Sequence, residues 1–339
     1  MIRFGVVGGG WRSEFYIRIA TLLPQRFELT GVYIRNPQVA ITLSDKYNII
    51  TYSSLEHLIN TNPDFIVSCV DKYSICSEIE LLCERGIAVL SETPIGINHE
   101  QIKDFKKKVR PEWKIQVAEQ FHFQPRNQAY KKIIESGVLG TVHQVYLSCC
   151  HDYHAVSLFK YFLDIKEEKP KIQSLCLPDK VIRYNSRNGV ITPKVVSGKQ
   201  KIAVIRYGNK TAIYDFNVEQ YFSAIRSSYI RIKGTKGEIV NDSCTYLNGS
   251  TPMRFDLTRN MCGSNENLDG LYLDSITGNS EVLYTNPFNT ARLTDEEIAV
   301  SMCIEKMKNY LMTGEDFYSL SDAINDAEIS LKISTKTQL

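Results

Sequence analysis

The sequence predicts an α/β chain of two domains: a doubly wound parallel sheet, then an α+β domain built on a large, mainly antiparallel sheet. Three observations carry this. The first third alternates short apolar runs with segments of helical periodicity. Its opening run, RFGVVG from Arg3 to Gly8, closes on three consecutive glycines. From Lys171 to about Tyr284 the pattern turns to strand and turn, with IAVIRY, AIYDFNV and YIRIKG in succession. At 339 residues the chain is too long for one ordinary core, and the texture changes after Ala118. The expected domains are therefore residues 1–120 and residues 121–339.

Each element has its own local reason. Arg3 to Gly8 is apolar and bounded by glycine, as a buried strand is. Trp11 to Leu23 places Phe15, Ile19 and Leu22 at helical spacing. Phe27 to Ile34 is a second strand, and Pro37 opens the next helix. Ser53 and Ser54 stand where a cap is expected for the helix Leu55 to Ile59. The strand Asp64 to Val70 follows Pro63, and the helix Ile75 to Glu84 stops at Gly86. Ile87 to Ser91 and Trp113 to Ala118 are further strands around the helix Glu100 to Val109. This βαβ rhythm implies parallel pairing. In the second domain a helix runs from Pro125 to Ser136, a strand from Val142 to Cys149 and a helix from Ala155 to Leu163. GTKGE reads as a hairpin turn, and helices near Glu296–Leu311 and Ser319–Ile333 close the chain.

Composition excludes several classes. Hydrophobic residues are 43% and charged residues 23%, as in a globular protein, and the net charge of +2 favours neither nucleic acid nor anionic membrane. No leader-like stretch precedes the first strand, and nothing approaches the roughly 20 apolar residues of a membrane span. Nine cysteines, an odd number, read as reduced thiols of a cytoplasmic protein. Their spacing offers no metal site.

The chemistry begins at Gly8-Gly9-Gly10-Trp11-Arg12-Ser13. Gly8 and Gly10 take the first two positions of G-x-G-x-x-G, and Ser13 replaces the third. The first glycine allows a tight turn, and the second lets backbone approach a pyrophosphate. The next helix then offers free N–H groups and its positive end. Between a strand and a helix, this reads as a Rossmann dinucleotide site, with a tight turn without ligand as the alternative. An acid at the end of the second strand would bind the ribose 2′-hydroxyl of NAD, but the sequence there is Tyr33-Ile34-Arg35-Asn36-Pro37. Arg35 can grip a 2′-phosphate, or stack on adenine. The missing acid favours NADP, with NAD the alternative.

Several segments together resemble the glucose-fructose oxidoreductase / inositol dehydrogenase (Gfo/Idh/MocA) family. They are the glycine turn, PDFIVSCV, ERGIAVLSETP, VAEQFHFQP, ESGVLGTVHQV, GTKGE and FYSLSDAINDAEISL, in that order over nearly the whole chain. The resemblance implies hydride transfer between a nicotinamide and a sugar, cyclitol or related polyol. It also implies a homodimer or homotetramer formed through the C-terminal sheet. Two alternatives stay open: an NAD-dependent glycosidase-like relative, and a non-catalytic dinucleotide-binding sensor or partner subunit.

The family's Glu-Lys-Pro motif reads Glu92-Thr93-Pro94 here, and Thr93 is no base near neutral pH. Its Asp-x-x-x-His pair falls on Cys150 and His154, so one of three expected catalytic residues is kept. Alcohol oxidation needs a proton acceptor, and an imidazole ordinarily titrates near pH 6.5. His154 is therefore the catalytic candidate, with a backbone-bonded helix-start histidine as the alternative. Of the six histidines, His151 and His122 join Tyr153 as substrate candidates. The cofactor is expected to touch Gly8, Gly9, Gly10, Trp11 and Arg12, then Arg35 and Asn36. Farther along, Val70 ends the strand Asp64 to Val70 and Lys72 follows it, and Glu92, Thr93 and Gln120 complete the set.

Overall fold

The computed structural model describes residues 1–166, 168–263, 268 and 270–335. Its two compact units are each assembled from separate segments of the chain. The first holds residues 1–125, 260–274 and 285–327, and the second 126–259, 275–284 and 328–339. Where a cut at residue 120 was expected, late segments of the chain instead return to the first unit.

The first unit is built on strands β1 (Ile2–Val7), β2 (Phe27–Tyr33), β3 (Thr51–Tyr52), β4 (Phe65–Ser68), β5 (Val89–Ser91) and β6 (Ile115–Val117). Helices α1 (Trp11–Leu22), α2 (Pro37–Tyr47), α3 (Leu55–Ile59), α4 (Ile75–Cys83) and α5 (His99–Lys108) alternate with them. The strands pair in parallel in the order β3-β2-β1-β4-β5-β6. The order reverses between β1 and β4, the switch point at which open α/β sheets bind ligands. The strands are short and apolar because a parallel sheet is covered on both faces: Phe4, Val6, Phe65, Ile66, Val67, Val89 and Leu90 are fully buried. Phe4 and Phe65 stack across β1 and β4 with centroids 6.0 Å apart. One expected cap fails. Ser54 precedes α3 in extended conformation, but its side chain makes no capping bond.

The second unit holds an eight-stranded sheet. Its strands are β7 (Val142–Ser148), β8 (Lys171–Ser186), β9 (Gly189–Tyr207), β10 (Lys210–Phe216), β11 (Tyr229–Gly234), β12 (Gly237–Val240), β13 (Ser243–Asn248) and β14 (Thr251–Asp256). They lie in the order β14-β13-β12-β11-β7-β10-β9-β8. Only β7 and β10 pair in parallel, and the other pairs are antiparallel. Helices α6 (Pro125–Glu135) and α7 (Asp152–Leu163) bring Tyr130 and Phe162 together, rings 6.2 Å apart. Alternate residues of the sheet are buried: Ala212, Tyr214 and Phe216 on β10, Ile230 and Ile232 on β11. A third sheet of β15 (Thr258–Cys262), β16 (Tyr272–Gly278) and β17 (Glu281–Thr285) and the helices α8 (Asp295–Thr313) and α9 (Leu320–Ser334) complete the chain.

The GTKGE turn joins β11 to β12 as expected, and it meets the ESGVLGT turn. The Lys236 N–H donates to the Leu139 carbonyl at 2.8 Å, and a Cβ on Gly234 would lie 2.1 Å from that oxygen. Glycine at this position is thus a condition of close backbone approach. Among the described residues no helix is long and apolar enough to cross a membrane.

Candidate functional site

The glycine turn is built as its residue types require. Gly8 has φ +120°, and a Cβ there would sit 2.5 Å from the Cys69 carbonyl oxygen. A Cβ on Gly9 would lie 2.8 Å from Val39 Cγ1, so the turn packs against α2. Gly10 differs from both. It is the N-cap of α1, its backbone is extended, and nothing lies within 4 Å of where its Cβ would be. It also supplies no capping side chain to the first-turn N–H groups of α1. A helix start without a side-chain cap, its positive end and an open space without a side chain fit a pyrophosphate. Ser13 is fully buried beside Gly8 and Cys69, which is how a small residue replaces the third glycine. Trp11, at the first position of α1, is 40% exposed, its ring edge-on to Phe15 at 4.9 Å.

The side chain of Arg12 is committed elsewhere. Its Nε lies 2.9 Å from Glu92 Oε1 and its Nη1 2.6 Å from Glu296 Oε1, while Tyr16 donates to Glu92 at 2.5 Å. Burial works against the Arg12 charge, but Glu92 and Glu296 outweigh it and hold the guanidinium protonated. Burial and the Glu92 carboxylate push the Tyr16 hydroxyl well up, so it remains a donor. Two of the residues expected at the cofactor, Arg12 and Glu92, are therefore partners of each other in an internal network. Removing one partner of such a buried pair ordinarily costs about 3–5 kcal/mol. The network needs α8, which also sets Glu297 on Arg18 and Glu305 on Arg26, each at 2.8 Å. Glu296 was invisible to local reading because it lies 284 positions from Arg12.

At the end of β2, Arg35 is exposed and has no direct ion pair among the described residues; Asp71 and Glu78 are its electrostatic neighbours. Asn36 is an N-cap, its side chain accepting from the N–H groups of Gln38 and Val39 at 3.0 and 3.4 Å. Val70 is half-buried just beyond β4, and Lys72 is exposed with its ammonium over the Tyr73 ring. Thr93 is half-buried and precedes Pro94 through a cis peptide bond. Gln120 is buried at the start of a 3-10 turn, Gln120–Phe123, and the His122 ring meets Tyr318 edge-on at 5.4 Å.

The second unit gathers the other candidates at the start of α7. The helix was expected from Ala155 but begins at Asp152, so His154 lies in its first turn and Cys150 lies before it. The cause is Asp152. An acid at a helix N-terminus is favoured by the helix dipole, and Asp152 Oδ2 pairs with Lys201 and accepts from Ser334 Oγ at 2.8 Å. Burial pushes the Asp152 carboxyl up, but Lys201 and Ser334 bring it below the ordinary carboxylate value. His151 and Tyr153 stack at 5.5 Å with rings 8° apart, and Tyr153 meets the His154 ring at 4.3 Å. Tyr221 lies 5.4 Å from His151 and accepts its backbone N–H at 3.0 Å. His154 is only 5% exposed. His151, Tyr153 and His154 thus form one cluster, to which Tyr221 is added.

Residues 2–121 match the family described as oxidoreductase family, NAD-binding Rossmann fold. No curated protein matches the chain in sequence. Among solved structures, an oxidoreductase from Agrobacterium radiobacter in complex with NAD+, L-tartaric acid and magnesium is 12% identical, TM-score 0.65, over 97% of this chain and 94% of that one. Biliverdin reductase from Synechocystis sp. PCC 6803, in complex with biliverdin and NADP+, is 13% identical, TM-score 0.62, over 98% of both chains. The WlbA dehydrogenase from Bordetella pertussis, in complex with NADH and UDP-GlcNAcA, is 15% identical, TM-score 0.61, over 98% of this chain and 95% of that one. Identities this low carry the fold. The family match is carried by residues 2–121, whose sheet order and glycine turn agree with it.

Proposed function

We propose that the protein is an NAD(P)-dependent dehydrogenase that moves hydride between the nicotinamide and a sugar, cyclitol or related polyol. The observation that carries the reading is the open space at Gly10, at the uncapped N-terminus of α1 and beside the β1–β4 switch point. The backbone of Gly8 to Arg12 holds the pyrophosphate, and the bound nicotinamide supplies the hydride acceptor. His154 takes the hydroxyl proton, and His151 and Tyr153 offer polar and aromatic contacts to the substrate. The polyol class is supported by the sugar nucleotide named with the WlbA dehydrogenase. The test is dinucleotide binding followed by turnover on a polyol and sugar-nucleotide panel. Stoichiometric cofactor reduction supports this reading. Product without net cofactor change supports a glycosidase-like reaction, and binding without turnover supports the sensor, the alternative that Thr93 and Cys150 keep open.

NADP is the proposed cofactor, because Arg35 is exposed, has no direct ion pair among the described residues, and replaces the expected acid. Arg35→Asp is expected to weaken NADP binding more than NAD binding, since a carboxylate repels a 2′-phosphate. Calorimetric titration of both cofactors checks it. A parent that prefers NAD, unaffected by the substitution, removes the argument.

A homo-oligomer formed through the eight-stranded sheet belongs to the same proposal. Val204 on β9, an interior strand, is 37% exposed between the buried Ala203 and Ile205, so this face of the sheet carries uncovered apolar surface. Val204→Glu is expected to shift the oligomer toward monomer in light scattering. A monomeric parent sinks the idea. The free cysteines support residence in a reducing, cytoplasmic compartment.

A further inference from the structure

Cys149 and Cys150 are sequence neighbours directly after β7, and their sulfurs lie 3.8 Å apart. Cys149 is partly exposed and Cys150 is fully buried. A reagent therefore meets Cys149 first, with Cys150 held beside it. Five of the other cysteines are poor competitors. Burial pushes the thiols of Cys69 and Cys303 well up, that of Cys76 to about 11, and those of Cys83 and Cys244 to about 12. Inert buried thiols of this kind do not enter exchange.

The pair sits where a small movement is felt. Cys150 precedes His151, the N-cap of α7, and its carbonyl accepts from the Tyr214 hydroxyl at 3.1 Å. The next N–H, that of His151, donates to Tyr221. Adjacent Cα atoms are about 3.8 Å apart across a trans peptide, whereas disulfides ordinarily span about 4.4–6.8 Å. Closing a disulfide between neighbours thus strains the backbone that these two hydrogen bonds hold. Strained disulfides are easily reduced, which makes them reversible.

We propose that Cys149 and Cys150 are a vicinal dithiol that closes reversibly to a disulfide by exchange with a small-molecule disulfide, displacing the first turn of α7. The Cys149 thiolate attacks one sulfur of the small disulfide and expels one thiol. The Cys150 sulfur, giving up its proton, then attacks Cys149 Sγ in the mixed disulfide and expels the second. The protein loses two hydrogens, and the small disulfide is reduced to two thiols.

The test uses the full chain and oxidised glutathione, followed by acid quenching and mass analysis of the peptide that carries both cysteines. Loss of two hydrogens without retained glutathione, reversed by dithiothreitol, is expected of the parent. Cys150→Ser is expected to stop at a glutathione adduct on Cys149. A parent peptide that keeps both thiols free, or that retains glutathione, overturns the dithiol; this measurement needs no variant. The displacement has its own readout in the proton resonances of the six histidines. Those of His151 and His154 are expected to shift on oxidation and return on reduction. Disulfide formation with both resonances unmoved overturns the displacement.

Discussion

A Gly10→Val variant is expected to fold normally and to lose dinucleotide binding. The fold is spared because nothing lies within 4 Å of the position its Cβ would take, and Gly10 is in an extended conformation that any residue adopts. Binding is lost because that open space is where the pyrophosphate must approach the backbone of α1, and an isopropyl group excludes it. The same substitution at Gly8 is a poor test. Its φ of +120° and the Cys69 carbonyl 2.5 Å away would damage the fold itself. Circular dichroism and calorimetric titration with NAD(H) and NADP(H) decide the matter. A folded Gly10→Val protein that binds as tightly as the parent shows that the dinucleotide lies elsewhere.

His154→Asn is expected to cut turnover by roughly 10²–10⁴-fold, the usual worth of general acid–base catalysis. The three family positions are Thr93, Cys150 and His154. A threonine hydroxyl cannot take a proton at neutral pH, and a cysteine does so only as a thiolate. Cys150 is also fully buried and lies before α7, outside the helical turn that carries His154. His154 is held in that turn, which Asp152 anchors through Lys201 and Ser334. Asparagine keeps much of the shape and polarity of the side chain while removing its base. Dinucleotide affinity is expected to change little, since the backbone of the glycine turn, of which His154 is no part, is the proposed pyrophosphate site. Thr93→Ala is expected to matter far less. Steady-state kinetics with parallel binding measurements test this, and near-parental turnover in His154→Asn would move attention to Lys72 and His122.

The N-terminal fold was legible because its signals are local. Apolar runs, helical spacing and three glycines in six residues each act within a few positions, and β1, α1, β2 and α2 lie where those signals put them. The positive φ of Gly8 is legible in the glycine itself. The missing acid at the end of β2 is likewise legible in Tyr33 to Pro37. Helix α7 begins three residues before Ala155, where local periodicity starts it, because its determinant, the Asp152–Lys201 pair, joins positions 49 apart.

What the sequence by itself determined is therefore the order of elements, the dinucleotide turn and the loss of the motif lysine at Thr93. Only the tertiary structure decided which charged residues are free to meet a ligand. It buries Arg12 and Glu92 in each other's company with Glu296, and leaves Arg35 exposed. It also returned residues 285–327 to the first unit. The physical reason is range. Backbone preference and side-chain periodicity are properties of neighbours in the chain, whereas desolvation and ion pairing depend on which distant segments the folded core brings within a few ångströms.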